Sequence, residues 1–496
     1  MGRLTRKVGL VAVGRAANAM AIYAVYALAA RTWDKVQCEV FAALWVLSNA
    51  LVPIFLIGLP TAVLYFFPLR KDTRRLALQA GSAALLSALC LGAILYGAGI
   101  ELFAVLNGRE GLPPGMEAPL VAFIPYVVAL VAGGVLDALL IASDRAHWQA
   151  LLSIGSGTGL VAAAALGYAL ALSPAQVMAV ISLVGVLRLV AAYGLVHRAV
   201  PATTSEESGD GWRVLLGYSR PIALNDAVGA LSRTVDRLVI LYFFSHETFA
   251  EYHFGAVEVP ISLLLAAVVT VLVPEISALY RAGDKAAIAD LWRQAVTRLA
   301  LIVLPLFCFL FAFADAFIGW YLPEEYGGSI WVFRIFLLAL PLRCAVYNPL
   351  LVGMGKAAWA LWGSLGDLAL NAALSIALVL WLNAASSPWA FLGPALATVL
   401  ATYVQVAFLV ALIALHLGWS WAQLLPWAAL ARFALGGMLA AGIARWISAW
   451  GGEQAVAQLM LGGVVFVSVM GGVLFSNGED RRGIGALLAP LIGRRT

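Results

Sequence analysis

The amino-acid sequence predicts an all-α polytopic membrane protein of about fourteen transmembrane helices, arranged as two six-helix lobes and two further C-terminal helices. Three observations predict this fold class. Of the 496 residues, 63% are hydrophobic and only 11% are charged, whereas soluble proteins carry about 25% charged residues. Apolar runs of about 20 residues, which suffice to cross a bilayer as a helix, recur along the whole chain. The second half of the sequence also repeats the first half.

The repeat has an offset of 211 residues, as from Trp148 to Trp359. Other matches at this offset are Arg145 with Lys356, Ala146 with Ala357, Ser153 with Ser364 and Gly155 with Gly366. A looser match, with a one-residue gap, pairs Cys38, Glu39 and Phe41 with Ala250, Glu251 and Phe254. Because each copy holds an even number of helices, both copies insert in the same orientation. This predicts a pseudo-two-fold axis along the membrane normal.

Hydropathy places the spans in order along the chain. They are predicted near residues 8–30, 38–66, 76–99, 119–142, 147–171, 174–196, 214–244, 250–280, 290–319, 328–355, 357–382, 389–415, 424–448 and 453–475. The predicted domains are a first lobe over 1–200, a polar linker over 201–212, a second lobe over 213–416, and two extra helices with a basic tail over 417–496. The extra helices either pack on the core or line a lipid entry path.

Positive charges predict the orientation of these spans. When loops alternate between inside and outside, starting inside, seventeen lysines and arginines fall inside. Only Arg31, Lys35 and Arg109 fall outside. This bias predicts that both termini are cytoplasmic. The charges are spread over short loops, so we interpret the basic balance as topology and expect no nucleic-acid partner.

Ionisable and amide side chains within spans indicate functional candidates, because such groups are costly in lipid and face a bundle interior or water. The first span carries Arg15 and Asn18 on one helical face, although Arg15 can also snorkel to the interface. The seventh span carries Asn225, Asp226, Arg233, Asp236 and Arg237. Asp226, Arg233 and Arg237 are spaced seven and then four residues apart, which predicts one polar stripe. Further intramembrane groups are Asp137, Glu258, Asp315, Arg334, Arg343, Asp367 and Asn371.

Two of these acids have a structural alternative, since Asp137 and Asp367 can each form an ion pair with a nearby arginine. Asp236 and Arg237 can likewise neutralise each other.

Prolines add a mechanical prediction: Pro53 and Pro60 in the second span and Pro260 and Pro274 in the eighth predict kinks at equivalent positions of both copies.

Enzyme and metal chemistry find little support in the sequence. No histidine pairs with a cysteine, aspartate or second histidine at ligand spacing, and no glycine-rich phosphate loop is present. We therefore expect no cofactor and no metal site. A glycan polymerase or ligase would need a long polar outer loop, which the predicted topology lacks. A non-transporting scaffold of a polysaccharide assembly complex would have a similar sequence.

The duplicated span pattern, the seventh-span run Ser232 to Arg237 and the run Phe244 to Ala256 together support a family resemblance. The chain resembles, over essentially its whole length, the polysaccharide-transporter branch of the multidrug/oligosaccharidyl-lipid/polysaccharide exporter superfamily. This resemblance implies a flippase of the bacterial inner membrane that moves undecaprenyl-diphosphate-linked oligosaccharides, of the O-antigen or exopolysaccharide type, by alternating access. It also implies two lobes around a central, often cationic cavity.

With that cargo, we expect Arg15, Arg233 and Arg237 to bind the diphosphate, because arginine donates paired, charge-assisted hydrogen bonds. Asn18 and Asn225 would assist with the polar head group. Asp226 or Asp236 would balance the arginines or bind a coupling proton. Membrane lipid and polysaccharide polymerase or assembly proteins are the expected partners.

Two relatives of the superfamily remain as alternatives. A cation-coupled multidrug exporter would centre on acids, of which Asp137 is the well-buried one in the first lobe. A lipid II flippase of the same superfamily would carry several arginines in the first two spans, whereas here the first span has only Arg15 and the second has none.

Overall fold

Apolar helices dominate the protein, because a helix satisfies its own backbone hydrogen bonds where no water is present. The computed structural model describes residues 2–70, 72–108, 111–200, 211–420, 424–452 and 454–475. Within these ranges, twelve helical stretches are long and apolar enough to cross a membrane. The predicted all-α polytopic membrane fold is confirmed, while the count of fourteen spans stays a prediction.

The helices of the first half of the chain follow the predicted spans closely. They are α1 (Gly2–Thr32), α2 (Lys35–Phe55), α3 (Leu59–Phe66), α4 (Thr73–Leu106), α5 (Glu117–Ala142), α6 (Ala146–Leu170), α7 (Pro174–Ala199), α8 (Gly211–Ser232), α9 (Val235–Phe243) and α10 (His246–Gly255).

The second half continues with shorter pieces between long spans. They are α11 (Ser262–Ala282), α12 (Lys285–Ala312), α13 (Ala314–Tyr321), α14 (Ser329–Leu337), α15 (Tyr347–Gly353), α16 (Ala357–Ala384), α17 (Gly393–Leu417), α18 (Trp427–Ser448) and α19 (Ala455–Phe475).

The described chain forms two compact units. One comprises residues 1–267 with 364–401, and the other comprises residues 268–363 with 402–496. These units are divided at other points than the predicted lobes, which stay a prediction. Residues 201–210 of the predicted linker, Arg109 and the tail from residue 476 lie outside the described residues.

Close helix packing in the first unit depends on small residues. Gly14 of α1 lies against Ala150 of α6, and a Cβ at Gly14 would come within 2.9 Å of the Ala150 Cα. Gly58, between α2 and α3, has a φ of +68°, and a Cβ there would lie 2.7 Å from the Ser219 carbonyl oxygen of α8. Glycine is therefore required at this turn by both its conformation and its neighbour.

Both copies break their second span, but at different places. The helix α2 runs for 21 residues before the turn at Gly58. Its counterpart α10 ends after 10 residues, and residues 256–261, with Pro260, separate it from α11. Pro274 lies inside α11 without ending it. The two copies are therefore interrupted at different places, and kinks at equivalent prolines stay a prediction.

In the second unit, α18 and α19 pack on α12 and α13. Phe313 stacks on Phe309 with ring centroids 4.8 Å apart, and Phe466 of α19 lies 5.2 Å from Phe309. Arg445 of α18 pairs with Asp315 of α13. Of the two alternatives for these helices, packing on the core is the one that the contacts support.

Candidate functional site

A cavity of about 380 Å³ lies within the first unit. Its wall comes from α1, α2, α5, the junction of α8 and α9, the end of α10 and the segment that follows α10. This volume lies in the range of small-molecule sites, which measure about 300–1,000 Å³. The cavity therefore has room for a polar head group of moderate size.

Two helix breaks open onto the cavity. The predicted seventh span is divided at Arg233 and Thr234, and the Thr234 hydroxyl donates to the Ala230 carbonyl oxygen at 2.9 Å. The predicted eighth span is divided at residues 256–261, from which Ala256 and Glu258 line the cavity. Irregular backbone within a membrane span is tolerated where it is buried in protein or lines a cavity. The breaks thus mark this cavity as the candidate binding site.

Arg237 is a fixed positive charge on the cavity wall. Its Nη1 donates to the Arg233 carbonyl oxygen at 2.7 Å, and its Nη2 donates to the Ala256 carbonyl oxygen at 3.2 Å. Its Nε is buried and has no hydrogen-bond partner. The guanidinium therefore ties the two helix breaks together, and its buried Nε–H is left without a partner.

Asp236 lies behind Arg237 and is only 1% exposed. Its carboxylate is 3.7 Å from Nη1 of Arg237 and accepts a hydrogen bond from the Tyr252 hydroxyl at 2.9 Å. The sequence alternative that Asp236 and Arg237 neutralise each other agrees with this geometry. Asp236 does not belong to the cavity wall.

Arg233 is the exposed counterpart of Arg237 on the cavity wall. Its guanidinium passes over Gly229, where a Cβ would come within 3.3 Å of Nη1. The exposed acid of the wall is Glu258, whose backbone is held by Tyr23. The Tyr23 hydroxyl donates to the Glu258 carbonyl oxygen at 2.9 Å and accepts from its amide at 3.1 Å.

An aromatic cluster forms the other side of the cavity. The ring of Tyr26 stacks on Phe254 at 5.3 Å and meets Trp45 edge-on at 6.3 Å. It also lies edge-on to His253 at 5.1 Å. The cavity therefore combines arginine donors with rigid aromatic surface.

The repeat explains which positions meet here. Four wall positions of α1 recur on the wall exactly one repeat offset later, at 211 residues: Ala19 with Ala230, Ile22 with Arg233, Tyr23 with Thr234, and Tyr26 with Arg237. Equivalent faces of the first and seventh spans thus line one cavity. The helix start that follows is also repeated, since Asp34 caps α2 and Ser245 caps α10.

Two contacts between a basic and an acidic side chain join the starts of α2 and α10 in a reciprocal manner. Lys35 of α2 pairs with Glu251 of α10 at 3.9 Å, and His246 of α10 pairs with Glu39 of α2. Lys35 and His246 are 211 residues apart, and Glu39 and Glu251 are the acids already matched by the repeat. Each copy therefore contributes the base of one pair and the acid of the other.

Of the predicted site residues, Arg233 and Arg237 lie on the cavity wall, and Arg15, Asn18, Asn225 and Asp226 do not. Arg15 is exposed on α1, and Asn18 lies against Gly157 of α6. On α8, Asn225 is exposed and Asp226 is half-buried. The stripe from Asp226 to Arg237 is interrupted, because α8 ends at Ser232.

Asp137 also lies away from the cavity. Its carboxylate accepts a hydrogen bond at 2.6 Å from Arg188 of α7, so the ion-pair alternative holds for this acid. Asp367 instead accepts a hydrogen bond from Ser232, the last residue of α8. Arg334 lies over the ring of Trp331 at 5.1 Å, and Asn371 accepts from Ser375 at 3.1 Å.

The sequence interpretation missed the aromatic half of the site. Tyr23, Tyr26 and Trp45 carry no charge, so they did not stand out within apolar spans. The repeat could have found two of them, because Tyr23 and Tyr26 are the equivalents of Thr234 and Arg237. His253 has no such signal.

Comparison with known proteins agrees with this architecture. A family model described as "Polysaccharide biosynthesis protein" matches residues 147–330, which include Arg233, Arg237 and His253. None of the curated protein sequences matches the chain. The structure of lipid II flippase MurJ in an inward closed conformation is similar with a TM-score of 0.70 and 12% identity, over 95% of this chain and 97% of that one.

Multidrug transporters share the same architecture. An inward-facing multidrug resistance MATE family transporter of the MOP superfamily has a TM-score of 0.63 and 13% identity, over 84% of this chain and 95% of that one. A MOP superfamily transporter from Pyrococcus furiosus, described as having a binding pocket of reverse polarity, has a TM-score of 0.60 and 14% identity over the same shares. The protein therefore has the fold of this transporter superfamily, and the predicted resemblance is confirmed.

Proposed function

We propose that the protein is a flippase of the bacterial inner membrane, with both termini cytoplasmic. Its cargo is an undecaprenyl-diphosphate-linked oligosaccharide of the O-antigen or exopolysaccharide type, moved by alternating access. The diphosphate binds at Arg233 and Arg237, and the isoprenoid tail stays in lipid. A polysaccharide polymerase is the expected consumer of the translocated cargo.

The observation that carries this proposal is the pair of arginines at the helix breaks of the cavity. Arginine remains ionised when water is excluded, and its planar fork donates paired hydrogen bonds to phosphate oxygens. Arg237 is already fixed by two backbone carbonyl oxygens, so little side-chain freedom is lost when it binds. Exposed Arg233 supplies a second set of donors.

The wall charges favour an anionic cargo over a cationic drug. Two arginines face one acid, Glu258, on the wall, and the nearby Asp236 is already paired with Arg237. Asp137, the acid that a cation exporter would use, is paired with Arg188 outside the cavity. Asp236 fits the charge-balancing role better than that of a coupling site, because it is covered by Arg237 and Tyr252.

The test is the fate of lipid-linked sugars in a strain that lacks the gene. We expect complete repeat units to accumulate on the cytoplasmic side, and wild-type protein to relieve the accumulation. Arg233→Ala should lower polymer output by about tenfold to a hundredfold, since hydrogen bonds to charged groups contribute about 1.5–3 kcal/mol each. Arg220→Ala is the matched control, because Arg220 is an exposed arginine of α8, the helix that precedes Arg233, and lies outside the cavity.

Three other results would each contradict the proposal. Normal output from Arg233→Ala at normal membrane levels would remove the arginines from the cargo path. Accumulation of the peptidoglycan precursor would favour the lipid II alternative. Unchanged surface polysaccharide together with increased drug sensitivity would favour the multidrug exporter.

A further inference from the structure

His253 is a buried, unpartnered histidine on the cavity wall. It lies in the last turn of α10, its side chain is 5% exposed, and it lines the same cavity as Arg233 and Arg237. Neither its Nδ1 nor its Nε2 has a hydrogen-bond partner. A buried polar group without a partner lowers stability, and native proteins retain such groups rarely. The two ring nitrogens therefore require an explanation.

Packing alone does not provide that explanation. The imidazole stacks on Phe249 with ring centroids 5.9 Å apart and meets Tyr26 edge-on at 5.1 Å. These contacts need an aromatic ring but no nitrogen, and phenylalanine would make them without burying two unsatisfied polar atoms. A purely structural role would thus be served better by another residue.

Comparison of the two copies of the repeat shows that the segment with His253 is one residue longer in the second copy. Between the matched residues Glu39 and Phe41, the first copy holds only Val40, whereas the second copy holds Tyr252 and His253 between Glu251 and Phe254. Tyr252 has a structural partner, because its hydroxyl donates to Asp236 at 2.9 Å. The additional residue brings a polar ring to the cavity wall of the second copy alone.

A second unused donor lies on the same wall. Both Nη atoms of Arg237 are engaged with backbone carbonyl oxygens, but its Nε is buried and unpartnered. Two unsatisfied donors on one cavity wall match the several acceptor oxygens of a phosphate group.

We propose that His253 contacts the cargo head group, with one ring N–H donating to a phosphate oxygen beside Arg237. The other ring nitrogen then faces a hydroxyl of the first sugar or a water molecule. This inference rests on the proposed function and adds a residue that sequence patterns did not identify. His253 acts in recognition of the diphosphate and takes no part in any covalent step.

The experiment measures binding to the purified full-length protein in lipid nanodiscs. The probes are farnesyl diphosphate, a short isoprenyl diphosphate, and farnesol, which has the same tail without phosphate. His253→Phe keeps the ring and removes both nitrogens, while His253→Gln keeps a donor. His197→Phe is the matched control, because His197 is exposed at the end of α7 and outside the cavity.

We expect His253→Phe to bind farnesyl diphosphate about tenfold more weakly, the effect of losing one charge-assisted hydrogen bond. Binding of farnesol and the thermal midpoint should not fall, and His253→Gln should recover part of the loss. His197→Phe should bind as the wild type does.

Two outcomes would overturn the inference in distinguishable ways. If Arg233→Ala loses binding of the diphosphate but His253→Phe does not, or if His253→Phe lowers only the thermal midpoint, the histidine is structural and the proposed function stands. If wild-type protein does not prefer farnesyl diphosphate to farnesol, the proposed function fails together with the role of His253.

Discussion

The first copy of the repeat faces the cavity with Ile22, Tyr23 and Tyr26, whereas the equivalent positions of the second copy carry Arg233, Thr234 and Arg237. The helix that carries the first set, α1, is continuous from Gly2 to Thr32. The helix that carries the second set is divided at Arg233 and Thr234. Equivalent positions of the two copies therefore still line the cavity, while their side chains and the continuity of their helices have diverged.

This difference shows how a membrane span can hold a charge. The continuous helix α1 presents aromatic rings to the cavity. The Arg233 carbonyl oxygen lies at the break after α8, and the Ala256 carbonyl oxygen lies at the break after α10; both accept from Arg237. The cationic half of the cavity depends on broken helices, and the aromatic half depends on an intact one.

Removing the fixed charge should have the largest effect. Arg237→Met leaves Asp236 buried without its cationic partner and removes the link between the two breaks. Breaking such a buried pair costs about 3–5 kcal/mol, so we expect a large fall in thermal midpoint and in the yield of folded protein. The double variant Asp236→Asn, Arg237→Met should recover folding but not polymer output. Equal stability of Arg237→Met and wild type would contradict the role given to this pair.

Moving the charge to the other copy tests the equivalence of the two faces. In the Arg233→Ala background, Ile22→Arg places a guanidinium at the position 211 residues earlier on the same wall. We expect polymer output about tenfold above that of Arg233→Ala alone, the contribution of one charge-assisted hydrogen bond. Met20→Arg, at an exposed position of α1 outside the cavity, should give no recovery. Equal recovery from both variants would show that any added charge suffices.

The sequence predicted the parts of this site that depend on composition and on the repeat. Hydropathy located the spans, and the cost of charge in lipid singled out Arg233 and Arg237. The stripe prediction then placed Asp226 with them because it assumed one continuous helix. No proline marks the break at Arg233 and Thr234. Tertiary contacts, such as that between Ser232 and Asp367, set its place, and sequence periodicity does not encode them.

Ion pairs between helices that are distant in the sequence also could not be predicted from sequence periodicity. Asp137 and Arg188 are 51 residues apart and meet because α5 and α7 pack together. Seen along the sequence, Asp137 is an isolated acid in a span and thus a candidate for coupling. Only the structure shows that this acid is paired with Arg188. The aromatic wall and His253 were not predicted, because neutral rings are common in apolar spans and do not stand out there.

The reciprocal contacts between basic and acidic side chains give the smallest and most specific test of the comparison. The predicted topology puts the starts of α2 and α10 at the outer face, where Lys35 pairs with Glu251 and His246 pairs with Glu39. Because Lys35 and Glu251 are each about one-fifth exposed, we expect a coupling energy of about 0.5–1 kcal/mol between them. Lys35→Glu should lower the thermal midpoint slightly, and adding Glu251→Lys should restore it, which a double-mutant cycle measures.

The same charge reversal at Asp290 and Arg293, a more exposed pair within α12, should couple less. A coupling energy of zero between Lys35 and Glu251 would mean that this pair is a relic of duplication and does not help to hold the two copies together at this end.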